Sequence, residues 1–361
     1  MQSAACRTST GLPQIRVLRA RRALATGVIG RAMLTSPRAT MEALRTFRLM
    51  AAILAALALA ACAQTQQQVL VGVGAAAFAT EPARGYAQLY LPYAQMSALA
   101  YDDRTDARGC PLPEPADTPP SDNRGWLGAL HRAGWRCITS DKTFALCPPG
   151  RQCVEGLSFH IWRRGCDFVL AFRGTDRGDL GDRLSDLHWF IHGPALDEYG
   201  KLGYAMPQIM ARIAAAGCAN PRIVATGHSL GGGLAQFAAY ADRRVRYVYA
   251  FNSSPVTAYL SAPGDIVRTV EGLGIDRVYE AGEVLAPVRF LIAGFFAPRM
   301  CRPYVRTIRF DIGEPGGLLD HHSIDRLANG LDRLTRHGPA MPLPTGFKAA
   351  ASCNLADLPP R

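Results

Sequence analysis

Long hydrophobic runs are scarce in this 361-residue chain. The most apolar stretch, Leu49–Ala61, is 13 residues, too short to span a bilayer comfortably. Acidic side chains are nearly missing from the first 61 positions, which hold nine arginines and one glutamate, a surplus of +8. The whole chain has 40 basic and 29 acidic residues, so the remainder carries 31 against 28, or +3. A near-neutral body lacks the broad basic face of a nucleic-acid-binding module. C-x-x-C pairs are absent, and no histidines stand at zinc-ligand spacing near the cysteines, which argues against a structural zinc site. Core-forming material is plentiful: 48% of the residues are hydrophobic, which suits a folded domain and not a disordered chain.

The basic N-terminus and the short apolar run read together as targeting. Arg45 and Arg48 precede Leu49–Ala61, the n-region and h-region of a secretory signal. Leu59-Ala60-Ala61-Cys62 resembles the lipobox of bacterial lipoproteins. The resemblance implies cleavage before Cys62, lipidation of Cys62 and a protein anchored in the bacterial cell envelope, expected at the outer membrane. Met41 as the start would give a conventional signal. Gln64 to Gln68 reads as a tether.

Val69 to Thr80 is apolar and reads as a buried strand or a small-residue helix. Tyr86, Leu89, Tyr90, Tyr93, Met96 and Leu99 stand at helical spacing, which predicts a helix packed on a sheet over Tyr86 to Tyr101. Residues 102–157 are rich in cysteine, proline and turn formers and read as a Cys-rich insertion. Besides Cys62 the exported part has Cys110, Cys137, Cys147, Cys153, Cys166, Cys218, Cys301 and Cys353, an even set that favours disulfides. Cys147 and Cys153 would close a small loop. Leu157 to Arg163 and Asp167 to Arg173 read as adjacent strands. A helix over Lys201 to Ala216 and strands at Arg222 to Ala225, Arg246 to Asn252 and Tyr304 to Phe310 predict an α/β fold with a mostly parallel sheet.

One stretch carries chemistry. Thr226-Gly227-His228-Ser229-Leu230-Gly231 contains G-x-S-x-G between an apolar, β-branched run and a helical pattern beginning at Gly233. A serine on a sharp strand-to-helix turn exposes its hydroxyl, and glycines on either side let backbone pass closely. The following helix N-terminus offers N–H groups to a developing oxyanion. Ser229 is therefore the candidate nucleophile. In such folds the acid and then the histidine follow the serine.

Ala171-Phe172-Arg173-Gly174-Thr175, the segment Asp182 to Leu187, and Thr226 to Ala235 together resemble the class 3 (fungal-type) lipases of the α/β-hydrolase superfamily, over roughly residues 85–335. The resemblance implies an α/β-hydrolase fold, a carboxylic ester hydrolase acting on lipids, and no metal or cofactor. It implies oxyanion donors at Thr175 and at the N–H of Leu230. It also implies a lid over residues 177–199, where Trp189 and Phe190 would face lipid; His188 and His192 read as structural. The family's acid precedes an apolar residue and a proline, a place taken by Glu283 before Val284 and Pro287, with Glu280 and Asp265 as alternatives. After the acid come His321, His322 and His337 only. His322, beside a capping Ser323, fits the family pattern best, with His321 as the alternative. The domain plan is then 1–61 extension and signal, 62–84 tether, 85–337 lipase-like domain and 338–361 tail. Two other readings stay open: a membrane-anchored binding protein on a hydrolase-like fold, and a serine hydrolase of amides or thioesters.

Overall fold

The computed structural model describes residues 68–73, 79–113, 125–144, 156–175, 195–259, 262, 270–286, 303–312 and 316–336. Their strands are β1 (Gln68–Val73), β2 (Ala79–Pro82), β3 (Arg136–Ser140), β4 (Phe159–Arg164), β5 (Asp167–Phe172), β6 (Arg222–His228), β7 (Val245–Phe251), β8 (Gly274–Glu280) and β9 (Tyr304–Phe310). They form one sheet in the order β2-β1-β9-β8-β7-β6-β5-β4-β3. The central five, β5 to β9, run parallel. Antiparallel pairs finish both edges. The described helices are α1 (Ala83–Leu99), α2 (Trp126–Arg132), α3 (Ala195–Ala214), α4 (Leu230–Ala241), α5 (Leu318–His322) and α6 (Ile324–Arg336). This is the expected α/β-hydrolase class, a mostly parallel sheet flanked by helices.

The central strands are buried on both faces, so successive side chains serve two cores. In β5, Phe168, Leu170 and Phe172 join a cluster with Leu202, Ile209, Leu234 and Phe237 of α3 and α4. Val169 and Ala171 point the other way, into a cluster with Tyr90 of α1 and Leu327 and Leu331 of α6. Beneath α1 lies a fully buried charge pair. Asp276 and Arg306 are register neighbours on β8 and β9. Arg306 donates to both Asp276 oxygens at 2.9 and 2.6 Å, and the Tyr90 hydroxyl donates to Oδ2 at 2.7 Å. The bidentate geometry and the extra donor satisfy a carboxylate that burial alone would make costly.

One expectation is corrected. The 62–84 tether is partly sheet: β1 and β2 pair with each other, and β1 pairs with β9. Val69 to Thr80 is thus parts of two strands, whose backbone pairs the otherwise open edge of β9. The Cys-rich insertion supplies α2 and β3. The apolar face of α2 (Trp126, Leu127, Leu130) is buried in the same core as α1. His321 and His322 close the short α5, and Ser323 breaks it from α6. Ser323 caps α6, its carbonyl accepting from Leu327 N at 3.1 Å.

Disulfides join Cys110 to Cys137 and Cys166 to Cys218. The first ties the segment after α1 to β3. The second ties the β4–β5 turn to the approach to β6. Cys62, Cys147, Cys153, Cys301 and Cys353 lie outside the described residues, as do the tail 338–361 and the N-terminal extension.

Candidate active site

The site is assembled at the C-terminal ends of the parallel strands, where β5, β6, β7 and β8 each deliver one loop. Ser229 sits between β6 and α4 with φ 57° and ψ −124°, a backbone region that non-glycine residues rarely occupy. The strained turn is held from both sides. Ser229 N donates to Phe251 O at 3.1 Å, and Ser229 O accepts from Ser254 N at 2.9 Å and Gly232 N at 3.1 Å. Its glycines are steric necessities. A Cβ on Gly227 would strike the backbone of Gly231, and one on Gly231 would strike Phe172 and Arg173. That second contact also shows how tightly the β5 terminus lies against the serine turn.

Leu230 opens α4. Its N–H belongs to the first turn, which has no intrahelical acceptor and sits at the positive end of the dipole. Thr175, half-buried, follows Gly174 just past β5. Gly174 N donates to the Tyr101 hydroxyl at 3.0 Å, which anchors this loop next to the serine turn. Arg173 reaches Asp103 at 3.0 Å and lies over the Tyr101 ring, which fixes the loop on its outer side.

Glu283 lies in the turn after β8 and His322 at the end of α5, and the fold brings them together. His322 Nδ1 and Glu283 Oε2 are 2.7 Å apart, and both side chains are essentially excluded from solvent. A carboxylate can only accept, so Nδ1 carries the proton. The same Oε2 accepts from Leu285 N at 3.0 Å, which fixes the carboxylate plane. With the proton on Nδ1, the neutral ring carries its lone pair on Nε2. The alternative residues form a different pair. His321 Nδ1 is 3.8 Å from Glu280 Oε1, beyond hydrogen-bond range, and that oxygen accepts from Ile312 N at 3.0 Å. Asp265, His337, Asp182 to Leu187, and the lid residues from 177 to 194, with His188, Trp189, Phe190 and His192, lie outside the described residues.

Three site residues escaped the sequence reading. Asn252, fully buried just past β7 at φ 40°, accepts from Glu280 N at 2.9 Å through Oδ1. Its amide donates to the carbonyls of His321 and His322 at 3.2 and 3.3 Å. It thus staples the end of β8 to the end of α5. His228, next to the serine, has Nε2 2.6 Å from the His322 carbonyl. A carbonyl can only accept, so Nε2 is protonated, and Nδ1 accepts from the Tyr101 hydroxyl at 3.0 Å. A hydrogen-bonded chain therefore runs from Gly174 N–H through Tyr101 and His228 to the His322 backbone. The signals were an asparagine ending an apolar strand and a histidine inside G-x-S-x-G; neither type is core-forming where it stands.

No protein-family model and no curated protein matches the chain. Among solved structures it is similar to lipase II from Rhizopus niveus, with 17% identity, 62% of this chain and 78% of that chain covered, and a TM-score of 0.37. A Rhizomucor miehei lipase–propeptide complex is 15% identical over 63% of this chain and 71% of that one, with a TM-score of 0.35. A mutant form of MDLA from Penicillium cyclopium is 17% identical over 65% and 83%, with a TM-score of 0.38.

Proposed function

We propose that the protein is a serine hydrolase of carboxylic esters. Ser229 is the nucleophile, His322 the general base and acid, and Glu283 the group that orients the imidazole. The observation that carries this reading is the buried 2.7 Å Glu283–His322 pair, tied through Asn252 and His228 to the strand ends around the strained Ser229 turn. His322 Nε2 takes the Ser229 proton as the oxygen attacks the acyl carbonyl. The N–H of Leu230, with Thr175, meets the oxyanion. His322 returns the proton to the leaving alcohol, and water hydrolyses the acyl-enzyme by the same path. Glutamate in place of aspartate suits the role, because the carboxylate only has to hold Nδ1–H. The motif resemblance adds the substrate class, lipid esters.

The same reading puts the protein outside the cytoplasm, lipidated on Cys62 and anchored to an envelope membrane. Two disulfides among the described residues support an oxidising compartment. Among the described residues no helix is long and apolar enough to cross a membrane.

The test is hydrolysis of esters with acyl chains from two to sixteen carbons, with Ser229→Ala in parallel and a fluorophosphonate probe on both. Serine-dependent activity rising on long chains at lipid interfaces supports a lipase, and activity confined to short chains an esterase. Labelling of Ser229 without any ester hydrolysis turns the assignment to amides or thioesters. Folded, oxidised protein that neither reacts with the probe nor cleaves any substrate sinks the catalytic reading in favour of a binding protein.

A further inference from the structure

Ser229, Glu283 and His322 come from three separate stretches of the chain, and one residue is bonded toward all three. The residues flanking Asn252 hold the serine turn: Phe251 O accepts from Ser229 N at 3.1 Å, and Ser254 N donates to Ser229 O at 2.9 Å. The N–H of Asn252 itself donates to Val278 O of β8 at 2.9 Å. Its side chain reaches the other two stretches. Oδ1 accepts from Glu280 N, three residues before Glu283, at 2.9 Å. Nδ2 donates to His321 O at 3.2 Å and to His322 O at 3.3 Å. An N–H only donates and a carbonyl only accepts, so this orientation of the amide is the one that satisfies all three bonds.

The position makes two demands that few residues meet together. Its φ of 40° lies in the left-handed region, which asparagine tolerates better than most residues with a side chain. It is fully buried, and it must present a donor and an acceptor on one short stem. Glycine meets the first demand and has no arms. Ionised aspartate offers acceptors only. The bonds are also well spent, because the last carbonyls of a helix have no donor within that helix. The width of one planar amide therefore sets the gap between the end of β8 and the end of α5. Across that gap stands the 2.7 Å Glu283–His322 bond. Each side of the gap is pinned a second time. Ala281 N donates to Phe310 O at 2.7 Å, and the His322 carbonyl accepts from His228 Nε2 at 2.6 Å. Only Gly282 separates the pinned Ala281 from Glu283.

We propose that Asn252 is a positioning residue for turnover: its amide sets the separation at which the Glu283 carboxylate meets His322 Nδ1, and so aims the imidazole at Ser229. Asn252 touches no reacting atom. It acts through the backbone at both ends of the acid–histidine pair, and a small misplacement there acts on the transition state more than on substrate binding. The link to turnover rests on the hydrolase reading; the geometry that Asn252 sets does not.

The test uses two variants of the full-length protein. Asn252→Gly keeps the backbone conformation and removes both arms; Asn252→Asp keeps an acceptor for Glu280 N and, ionised, loses the donors. Thermal melting identifies the folded variants, and kcat on a short-chain ester is taken per serine labelled by a fluorophosphonate. In Asn252→Gly kcat is expected to fall about 10²-fold with KM within about two-fold of wild type. Asn252→Asp is expected to fall by a similar factor. The second readout needs no substrate. The buried His322 Nδ1 proton is expected as a far-downfield line in the proton NMR spectrum of the wild type, absent from His322→Ala. In both Asn252 variants that line moves upfield or is lost to exchange. An asparagine that serves the fold alone lowers the melting temperature and leaves kcat per serine and the line unchanged; that result in a folded variant overturns the proposal. A rise in KM at constant kcat overturns it as well. A wild type that shows the line and hydrolyses no ester counts against the ester reading alone, and the line in the variants then decides whether Asn252 sets the pair.

Discussion

Two histidine–carboxylate pairs stand side by side at the end of the sheet, and they differ in kind. Glu283 and His322 are 2.7 Å apart and solvent-excluded, with the carboxylate also held by Leu285 N. Glu280 and His321 are 3.8 Å apart; the histidine is a fifth exposed, and the carboxylate is spent on the Ile312 backbone. The first pair is short, dry and aimed, and the second is a loose contact around a structural hydrogen bond. Two adjacent histidines on one short helix point to different partners, because neighbouring helical side chains are set about 100° apart. Proximity in sequence thus says nothing about equivalence in chemistry.

The largest effect that would sharpen the contrast is on the histidines. His322→Ala is expected to lower kcat by about 10⁵-fold, and His321→Ala by less than about three-fold, in steady-state ester hydrolysis. A comparable loss from both would dissolve the distinction. Next come the acids. Glu283→Gln leaves Nδ1 without an ionised acceptor and is expected to reduce kcat about 10³- to 10⁴-fold. Glu280→Gln keeps an oxygen for Ile312 N and should leave kcat near wild type; Glu280→Ala instead exposes its cost in thermal melting, about 1–3 kcal/mol.

A smaller effect tests the support beneath His322. Tyr101→Phe removes the hydroxyl that joins Gly174 N–H to His228, so the loop after β5 and the His322 backbone lose a shared anchor. A fall of about ten-fold in kcat with little change in KM is expected, since misplacement acts on the transition state more than on binding. A rise in KM at unchanged kcat would mean that Tyr101 serves substrate binding instead.

An effect on stability and not on turnover comes from a third histidine, on which burial outweighs the nearby Asp102 carboxylate. His160 is buried on β4, and burial pushes its pKa from 6.5 down to about 4, with Lys142 acting in the same direction. The folded ring is therefore neutral when the unfolded one would take a proton. Stability is complete above pH 6.5 and falls as pH drops toward 4, by at most about 3 kcal/mol. Denaturant melts of His160→Gln are expected to show a flatter pH dependence across that window. An unchanged slope would place the acid sensitivity elsewhere.

Much of this was legible in advance. The apolar, β-branched runs, the helical spacing of Tyr86 to Leu99 and the G-x-S-x-G turn are local patterns, and local patterns survive in sequence. The edges of the sheet were not legible: β1 lies far in sequence from its partner β9, and its apolar run suited a strand or a helix equally. The Cys-rich segment hid β3 and α2 because its turn residues dominate its composition. Asn252, Tyr101 and His228 were invisible for a related reason, since each acts through bonds to groups tens or hundreds of residues away.

The sequence by itself determined the class of sheet, the strained serine turn and the order in which acid and histidine follow it, because those depend on periodicity, on glycine and on chain order. Only the tertiary structure decided which carboxylate meets which histidine. That choice turns on a few ångströms of loop placement after β8 and on one helical step at the end of α5, and a distance of 2.7 against 3.8 Å is set by packing that no single segment encodes.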